Sequence, residues 1–235
     1  MPVLALGWAI LIGGAALVAV LAIVVSQTDL LHGLDYAAAQ WSHDHVTAST
    51  RRALTYVTDL GETRTVAIVA VLVTLVDLNR RRNPWTPFFL LLVILGDKLL
   101  TQELKGLVDR TRPAFEPLAA TLGPSFPSGH SSTAAASWAA FAFVAGLWWG
   151  RRAWPFLAGL AVAIAVAVAA GRVLLDVHWS TDVVGGLALG WAWFAACALA
   201  LGRRLVRPDG RAGTGTLGIR QSAVSGSTRK AAEPN

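Results

Sequence analysis

The chain has 235 residues, 54% of them hydrophobic and 14% charged, with a formal net charge of +6. A charge content so far below the roughly 25% of soluble domains excludes an ordinary water-soluble enzyme, and it excludes disorder and a coiled coil, which both need a charge-rich chain. With Cys197 as the only cysteine no intramolecular disulfide can form, and its apolar surroundings read as a buried thiol. The cations lie in loops between apolar runs rather than as a patch with interleaved aromatics, so no nucleic-acid partner is expected.

Residues 1–28 carry no charged side chain, and the stretch from Val3 to Val25 is long enough to cross a hydrocarbon core of about 30 Å. It is longer than the h-region of a cleaved leader and has no Lys or Arg before it, so it reads as a membrane span. Residues 26–63 form a longer loop. In it Leu30, Leu31, Leu34, Ala37, Ala38 and Trp41 recur at helical spacing, as for a helix lying in the interface or packed as an ordinary loop helix. Five further charge-free runs follow: Thr65 to Val76, Asn83 to Gly96, Ser131 to Gly150, Ala153 to Gly171 and Val183 to Gly202. The first two of these are short for a span. They are expected to extend, one back through Leu60 and Gly61 and the other forward through Asp97 and Lys98.

The predicted fold is therefore all-α: a polytopic membrane protein with six transmembrane helices in a bundle. Six crossings put both termini on one side. That side collects twelve of the 20 Lys and Arg residues, including Arg80–Arg82, Arg151, Arg152, Arg203 and Arg204, against three of the 14 carboxylates. The positive-inside rule makes it the cytoplasm, with Trp85, Trp148, Trp149 and Trp154 beside the Arg-rich turns as an aromatic belt. The six-span domain covers residues 1–202. Residues 203–235, rich in Gly, Ser, Thr and Arg, are expected to be a disordered basic cytoplasmic tail.

Three polar segments interrupt the apolar pattern: Lys105 to Pro113, Pro127 to His130, and Arg172 to Asp182. Two crossings separate the second from the third, so all three share one face, the outer one. Lys105, Arg110, Arg112 and Arg172 stand there on the side otherwise poor in cations, close to apolar helix ends, where a charge usually faces a cavity and a partner. An anion is the economical partner. Arg112 and Arg172 offer planar forks that match phosphate oxygens, and Lys105 adds a point charge. Gly129 lets the backbone come close at the start of a helix, and Ser128 adds a hydroxyl. His130 and His178 supply proton chemistry near neutral pH, one attacking while the other protonates the departing oxygen. Asp182, four residues after His178, is placed to hold that ring by one nitrogen and leave the other free.

The three segments, KxxxxxxRP, PSGH and RxxxxxHxxxD in this order, resemble the membrane-bound type-2 phosphatidic acid phosphatase family, which shares a core with the vanadium-dependent haloperoxidases. The resemblance covers roughly Leu4 to Leu201. It implies a phosphatase that needs no metal or other cofactor and acts on a membrane lipid phosphate at the outer membrane face. In it His178 is the nucleophile that forms a phosphohistidine, Asp182 orients it, and His130 is the acid for the leaving group. Lys105, Arg112, Ser128, Gly129 and Arg172 hold the phosphate. A polyprenyl diphosphate of the cell-wall carrier type and a glycerolipid phosphate both remain open as substrates. A vanadate-holding oxidase and a transporter or scaffold that keeps an anion pocket are the competing classes; six spans and polar residues gathered at one face argue against them.

Two positions depart from the family pattern. Gly171 stands where Ser is frequent, which removes a hydroxyl next to Arg172, and Trp179-Ser180 replaces a common aromatic-Pro pair. Asp97, Glu103 and Asp109 lack the company of metal ligands, and Asp109 is read as pairing with Arg110. Asp59-Leu60-Gly61 is read as a cap or turn, and His32, His43 and His45 receive no role.

Overall fold

The computed structural model describes residues 2–113 and 123–206, and among these the regular structure is entirely helical. The expected tail from residue 207 on lies outside the described residues. A long α1 (Pro2–Gln27) is followed by two shorter helices, α2 (His32–His45) and α3 (Ala48–Thr58), and a 3-10 turn at Asp59–Gly61. Five long helices complete the bundle: α4 (Thr63–Arg81), α5 (Trp85–Val108), α6 (Gly129–Trp149), α7 (Trp154–Leu174) and α8 (Ser180–Val206). Arg203 and Arg204, assigned to the tail from sequence, form the last turn of α8.

By length and composition, Leu4–Gln27, Trp154–Leu174 and Ser180–Val206 are apolar enough to cross a membrane. The other three long helices fall short for physical reasons. α5 carries Asp97, Lys98, Glu103 and Lys105 along its length, and α4 carries charges at both ends. α6 is the central helix, packed against α8, α7, α5 and α4, and it buries Ser131, Ser132 and Ser137 with its alanines. A helix surrounded by protein does not need the composition of one that faces lipid.

Close approach, more than bulk, joins α6 to α8. At Gly186 an added Cβ would lie 2.5 Å from the Ser128 carbonyl oxygen, and one turn on Gly190 is pressed against the Ser132 carbonyl and the Ala135 methyl. Small residues four apart let two backbones touch, which matters where lipid tails remove the hydrophobic incentive for helices to associate. The chain ends of the bundle are stapled by polar groups. At the end that holds the Arg-rich turns, buried Asp77 accepts from Thr86 Oγ1 at 2.6 Å and from Trp148 Nε1 at 2.7 Å, and Asn83 Nδ2 donates to the Leu205 carbonyl at 3.1 Å. Of the expected tryptophan belt, Trp149 is exposed. Trp148 is instead bound to Asp77, Trp85 lies under the Arg204 guanidinium at 4.1 Å, and Trp154 packs edge-on against Phe143.

Two expectations need correction. The second apolar run does not continue back through Leu60 and Gly61. The chain turns there, because the His130 carbonyl and Val168 press on Gly61 and the Leu60 carbonyl is taken by Trp138 Nε1 at 3.0 Å, and α4 begins only at Thr63. The loop helix is also two helices, the second capped by Thr47, whose hydroxyl accepts the Thr50 amide at 3.4 Å; Leu30 and Leu31 precede the first. α2 is turned with its polar side inward: Asp35, Ala39 and Ser42 are buried, while Leu34 and Trp41 are exposed. The third run, by contrast, extends forward past Asp97 and Lys98 to Val108 as expected.

Gly171, the departure next to Arg172, has a steric cause. α3 passes so close that a Cβ at residue 171 would lie 2.6 Å from Thr58 Cγ2. We expect Gly171→Ser to lower the apparent Tm in detergent by several degrees, since overpacking costs about 1–3 kcal/mol. Adding Thr58→Ser, which removes the obstructing methyl, is expected to recover most of the loss. A Gly171→Ser protein that melts with wild type would contradict this account.

Candidate active site

One end of the bundle gathers the C-terminal ends of α5 and α7 and the N-terminal ends of α6 and α8, covered by α2 and α3. The chain passes from α7 to α8 through a tight reversal in which Asp176 adopts a left-handed conformation (φ 58°) and the Leu175, Asp176 and Val177 amides donate back to the last turn of α7. Arg51 of α3 fixes that turn by a 2.9 Å ion pair with Asp176. His178 follows directly, 2% exposed, and Asp182 lies in the first turn of α8.

The two nitrogens of His178 face different partners. Nδ1 lies 3.4 Å from Asp182 Oδ2 and 3.5 Å from Ser125 Oγ, while Nε2 lies 3.3 Å from Arg112 Nη1. A guanidinium has no lone pair to offer, so Nε2 is the acceptor and Nδ1 carries the hydrogen toward Asp182. The nitrogen with the free electron pair therefore points at a cation. Burial pushes the His178 imidazole down to about 4, against the opposing pull of Asp182, so it is neutral at physiological pH.

Asp182 is fully buried and met by several donors. Oδ2 accepts from Ser125 Oγ and from the Trp179 amide at 2.9 Å, and Oδ1 accepts from Arg110 Nη1 at 2.7 Å. The Asp182 carbonyl accepts the Ser128 amide at 2.9 Å, which ties the start of α6 to the start of α8. That amide is thereby occupied; the next amides, at Gly129 and His130, have no acceptor within the helix. The Ser128 hydroxyl is buried and accepts from Ser131 Oγ at 3.0 Å, which leaves its own hydrogen available.

Three cations complete the site. Arg112 donates to the carbonyls of Val177 at 2.7 Å, Gly123 at 2.9 Å and Pro124 at 3.2 Å, and Lys105 Nζ also donates to the Pro124 carbonyl. Burial draws the Arg112 guanidinium below its ordinary value, with Asp182 opposing. Arg172 is 4% exposed, and its Nε is buried without a hydrogen-bond partner. Lys105, Arg112 and Arg172 repel one another, and His130 lies within reach of the charges of all three and of His178. The eight residues singled out from sequence thus meet in one place. Like charges held together with an unpaired buried donor make a site built for an anion with several oxygens.

Sequence reasoning missed part of the support. Arg110 does not pair with its neighbour Asp109, which caps α5 in a left-handed conformation (φ 45°); it bridges Asp182 and Asp35 at 2.7 Å each. Its position inside the first polar segment was a signal. Asp35, in the long loop, gave none. Ser125, Thr181 and Asp176 were likewise unmarked. Asp97 accepts from Thr133 Oγ1 at 3.1 Å and from Ser132, a tie between α5 and α6.

The PAP2 superfamily profile matches residues 86–205, a stretch that contains all eight site residues. Over 120 residues the chain is 39% identical to phosphatidylglycerophosphatase B of Bacillus subtilis, covering 48% of this chain and 57% of that protein. Over 121 residues it is 32% identical to lipid A 1-phosphatase of Rhizobium johnstonii, covering 47% and 46%. The matched stretch spans about half the length of these relatives. The crystal structure of a transmembrane PAP2-type phosphatidylglycerolphosphate phosphatase from Bacillus subtilis superposes with a TM-score of 0.78 at 28% identity, covering 85% of this chain and 98% of that one. With the signature, the fold and a profile match over half its length in agreement, the chain belongs to the PAP2 superfamily.

Proposed function

We propose that the protein is an integral-membrane, metal-independent lipid phosphate phosphatase that works through a phosphohistidine on His178. The observation that carries this reading is the setting of His178, with Asp182 at Nδ1 and Arg112 at Nε2. In the first step the Nε2 lone pair attacks phosphorus, the bond from phosphorus to the lipid oxygen breaks, and His130 gives that oxygen a proton. In the second step His130 takes a proton from water, the water oxygen attacks phosphorus, and the P–N bond breaks to return His178 and release phosphate. Lys105, Arg112, Arg172, the Ser128 hydroxyl and the amide at Gly129 hold the equatorial oxygens as charge shifts onto them.

The substrate class is a lipid phosphate. Beginning two residues past Asp182, a hollow of about 240 Å³ lies between α1 and α8, lined by residues that include Gly14, Leu17, Val184, Leu187 and Trp191. An apolar groove so near the cradle suits a head group at His178 with its tail in hydrocarbon. Relatives named for phosphatidylglycerophosphate and lipid A support a glycerolipid or saccharolipid phosphate alongside the carrier diphosphate. Six spans, α1 and α4 to α8, put the Arg-rich turns in the cytoplasm and the site at the outer face, with the catalytic unit running to the end of α8 at Val206 and the rest as a basic tail.

Phosphate release from phosphatidylglycerophosphate, phosphatidic acid and a polyprenyl diphosphate, measured in detergent with excess chelator, tests the chemistry. Wild type is expected to stay active under chelator, and His178→Ala to lose roughly 10³-fold or more. Loss of activity to the chelator, or an unaffected His178→Ala, would overturn the reading. The acid side of the pH profile gives a second check. Protonation removes the attacking electron pair, so activity falls as pH falls through the imidazole's value in the free enzyme. The limb of kcat/KM is expected near 4 rather than near the ordinary 6.5, once the substrate's own ionisation is titrated separately. Topology is tested in cells with Cys197→Ala as background: an impermeant maleimide is expected to label Asp29→Cys from outside, and Arg151→Cys only after permeabilisation. The reverse pattern would invert the orientation.

A further inference from the structure

The fully buried carboxylate of Asp35 stands behind the His178–Asp182 pair, on α2, in a segment outside the matched residues 86–205. Its Oδ2 takes Arg110 Nη2 at 2.7 Å and the Thr181 hydroxyl at 2.6 Å, and its Oδ1 takes the Thr181 amide at 2.9 Å. The other arm of Arg110 reaches Asp182 Oδ1 and the Thr181 hydroxyl, both at 2.7 Å. The Trp179 ring lies 5.5 Å from the guanidinium, so Arg110 is held on several sides. The result is a row, His178, Asp182, Arg110, Asp35, whose imidazole and carboxylates are buried and whose guanidinium is largely covered.

We propose that Asp35 is a positioning residue for phosphoryl transfer, acting through Arg110 to keep the group behind His178 at a net charge of −1. The inference rests on His178 as nucleophile. Its reasoning is charge arithmetic in a dry setting. When Nε2 bonds to phosphorus the imidazole ring becomes cationic, and that charge is stabilised by a negative partner at Nδ1. Asp182 alone against Arg110 would be neutralised one for one. With Asp35 present, two carboxylates share one guanidinium, and an excess negative charge remains beside the ring. The other groups facing His178 are Arg112 and Lys105 from the α5 end, Arg172 on α7 and His130 on α6, with Arg51–Asp176 and His43 of α2 at the preceding turn and His32 of α2 against the Trp179 ring. None of these compensates Arg110.

Charge arithmetic gives the test its signs. Asp35→Asn keeps the shape and an acceptor oxygen but leaves the row neutral, so the His178 titration and the acid limb of kcat/KM are expected to move to lower pH. The kcat is expected to fall about tenfold or more, with KM nearly unchanged. Arg110→Gln leaves the row at −2 and is expected to move the titration to higher pH. The double variant restores −1 and is expected to return toward the wild-type position, with more activity than Asp35→Asn alone. A purely structural brace predicts the opposite for the double variant, which would be worse than either single, and no shift in any. Following the His178 imidazole by 15N NMR reads the charge without turnover. An inactive wild type would therefore overturn the phosphatase reading alone, while unshifted titrations in the folded variants would overturn the role of Asp35. If Asp35→Asn does not fold, the upward shift in Arg110→Gln decides the matter, and its absence overturns the proposal.

Discussion

A carboxylate sealed inside the end of a helical bundle must be met by donors, and much of this structure follows from how Asp182 is met. Leaving such a charge unpaired in a medium of low dielectric costs several kcal/mol. The donors come from three separate stretches of chain: Ser125 from the segment before α6, the Trp179 amide and the His178 ring from the α7–α8 turn, and Arg110 from the end of α5. Satisfying one side chain therefore fixes where these three stretches end relative to the start of α8. The Ser128 amide on the Asp182 carbonyl adds the start of α6. The His178 ring is oriented by the same bonds that close the fold at this end.

The opposite end repeats the device with different residues. Asp77 gathers Thr86 and Trp148, and Asn83 reaches the carbonyl of Leu205, so α4, α5, α6 and α8 are joined there. Between the two ends the helices need only approach closely, and Gly14, Gly186 and Gly190 let them. This division suits a bundle in lipid, where packing of small residues and interhelical hydrogen bonds take over from the hydrophobic effect. It also explains why α6 carries serines and alanines rather than leucines.

What the sequence made legible follows from range. Apolar runs are local, and they marked all six long helices, placing α1, α6, α7 and α8 to within a few residues; α5 runs ten residues past Lys98 because its charged last turns carry no apolar signal. The cationic and histidine segments were legible because charge close to apolar helix ends is costly and so marks a ligand. Partnerships over long sequence distances were not legible. Nothing local tells that Asp35 meets Thr181 146 residues away, or that Arg110 prefers Asp182 to adjacent Asp109. The absence of a hydroxyl at Gly171 looked like a missing contact with Arg172; in three dimensions it is the space that Thr58 requires. The polar inner face of α2 is not legible from apolar periodicity, because the apolar residues Leu34 and Trp41 mark the side that faces out.

The cradle itself is a liability to the fold. Lys105, Arg112 and Arg172 are brought together at a cost in repulsion and lost hydration, and the buried Nε of Arg172 makes no hydrogen bond. The compensation comes from elsewhere in the same layer: backbone carbonyls at Gly123, Pro124 and Val177 accept from the Arg112 guanidinium, and the α2–α3 cover pins the turn through Arg51 and Asp35. Carbonyl dipoles attract a cation without cancelling its charge. They hold the guanidinium in place yet leave its field intact for a ligand, which a carboxylate in the same position would not. The carboxylates of Asp182 and Asp35 lie instead on the far side of His178, where negative charge faces the ring. Positive in front of the imidazole and negative behind it is a field that the scaffold itself sets, and it is the one that the proposed attack of the ring on phosphorus requires.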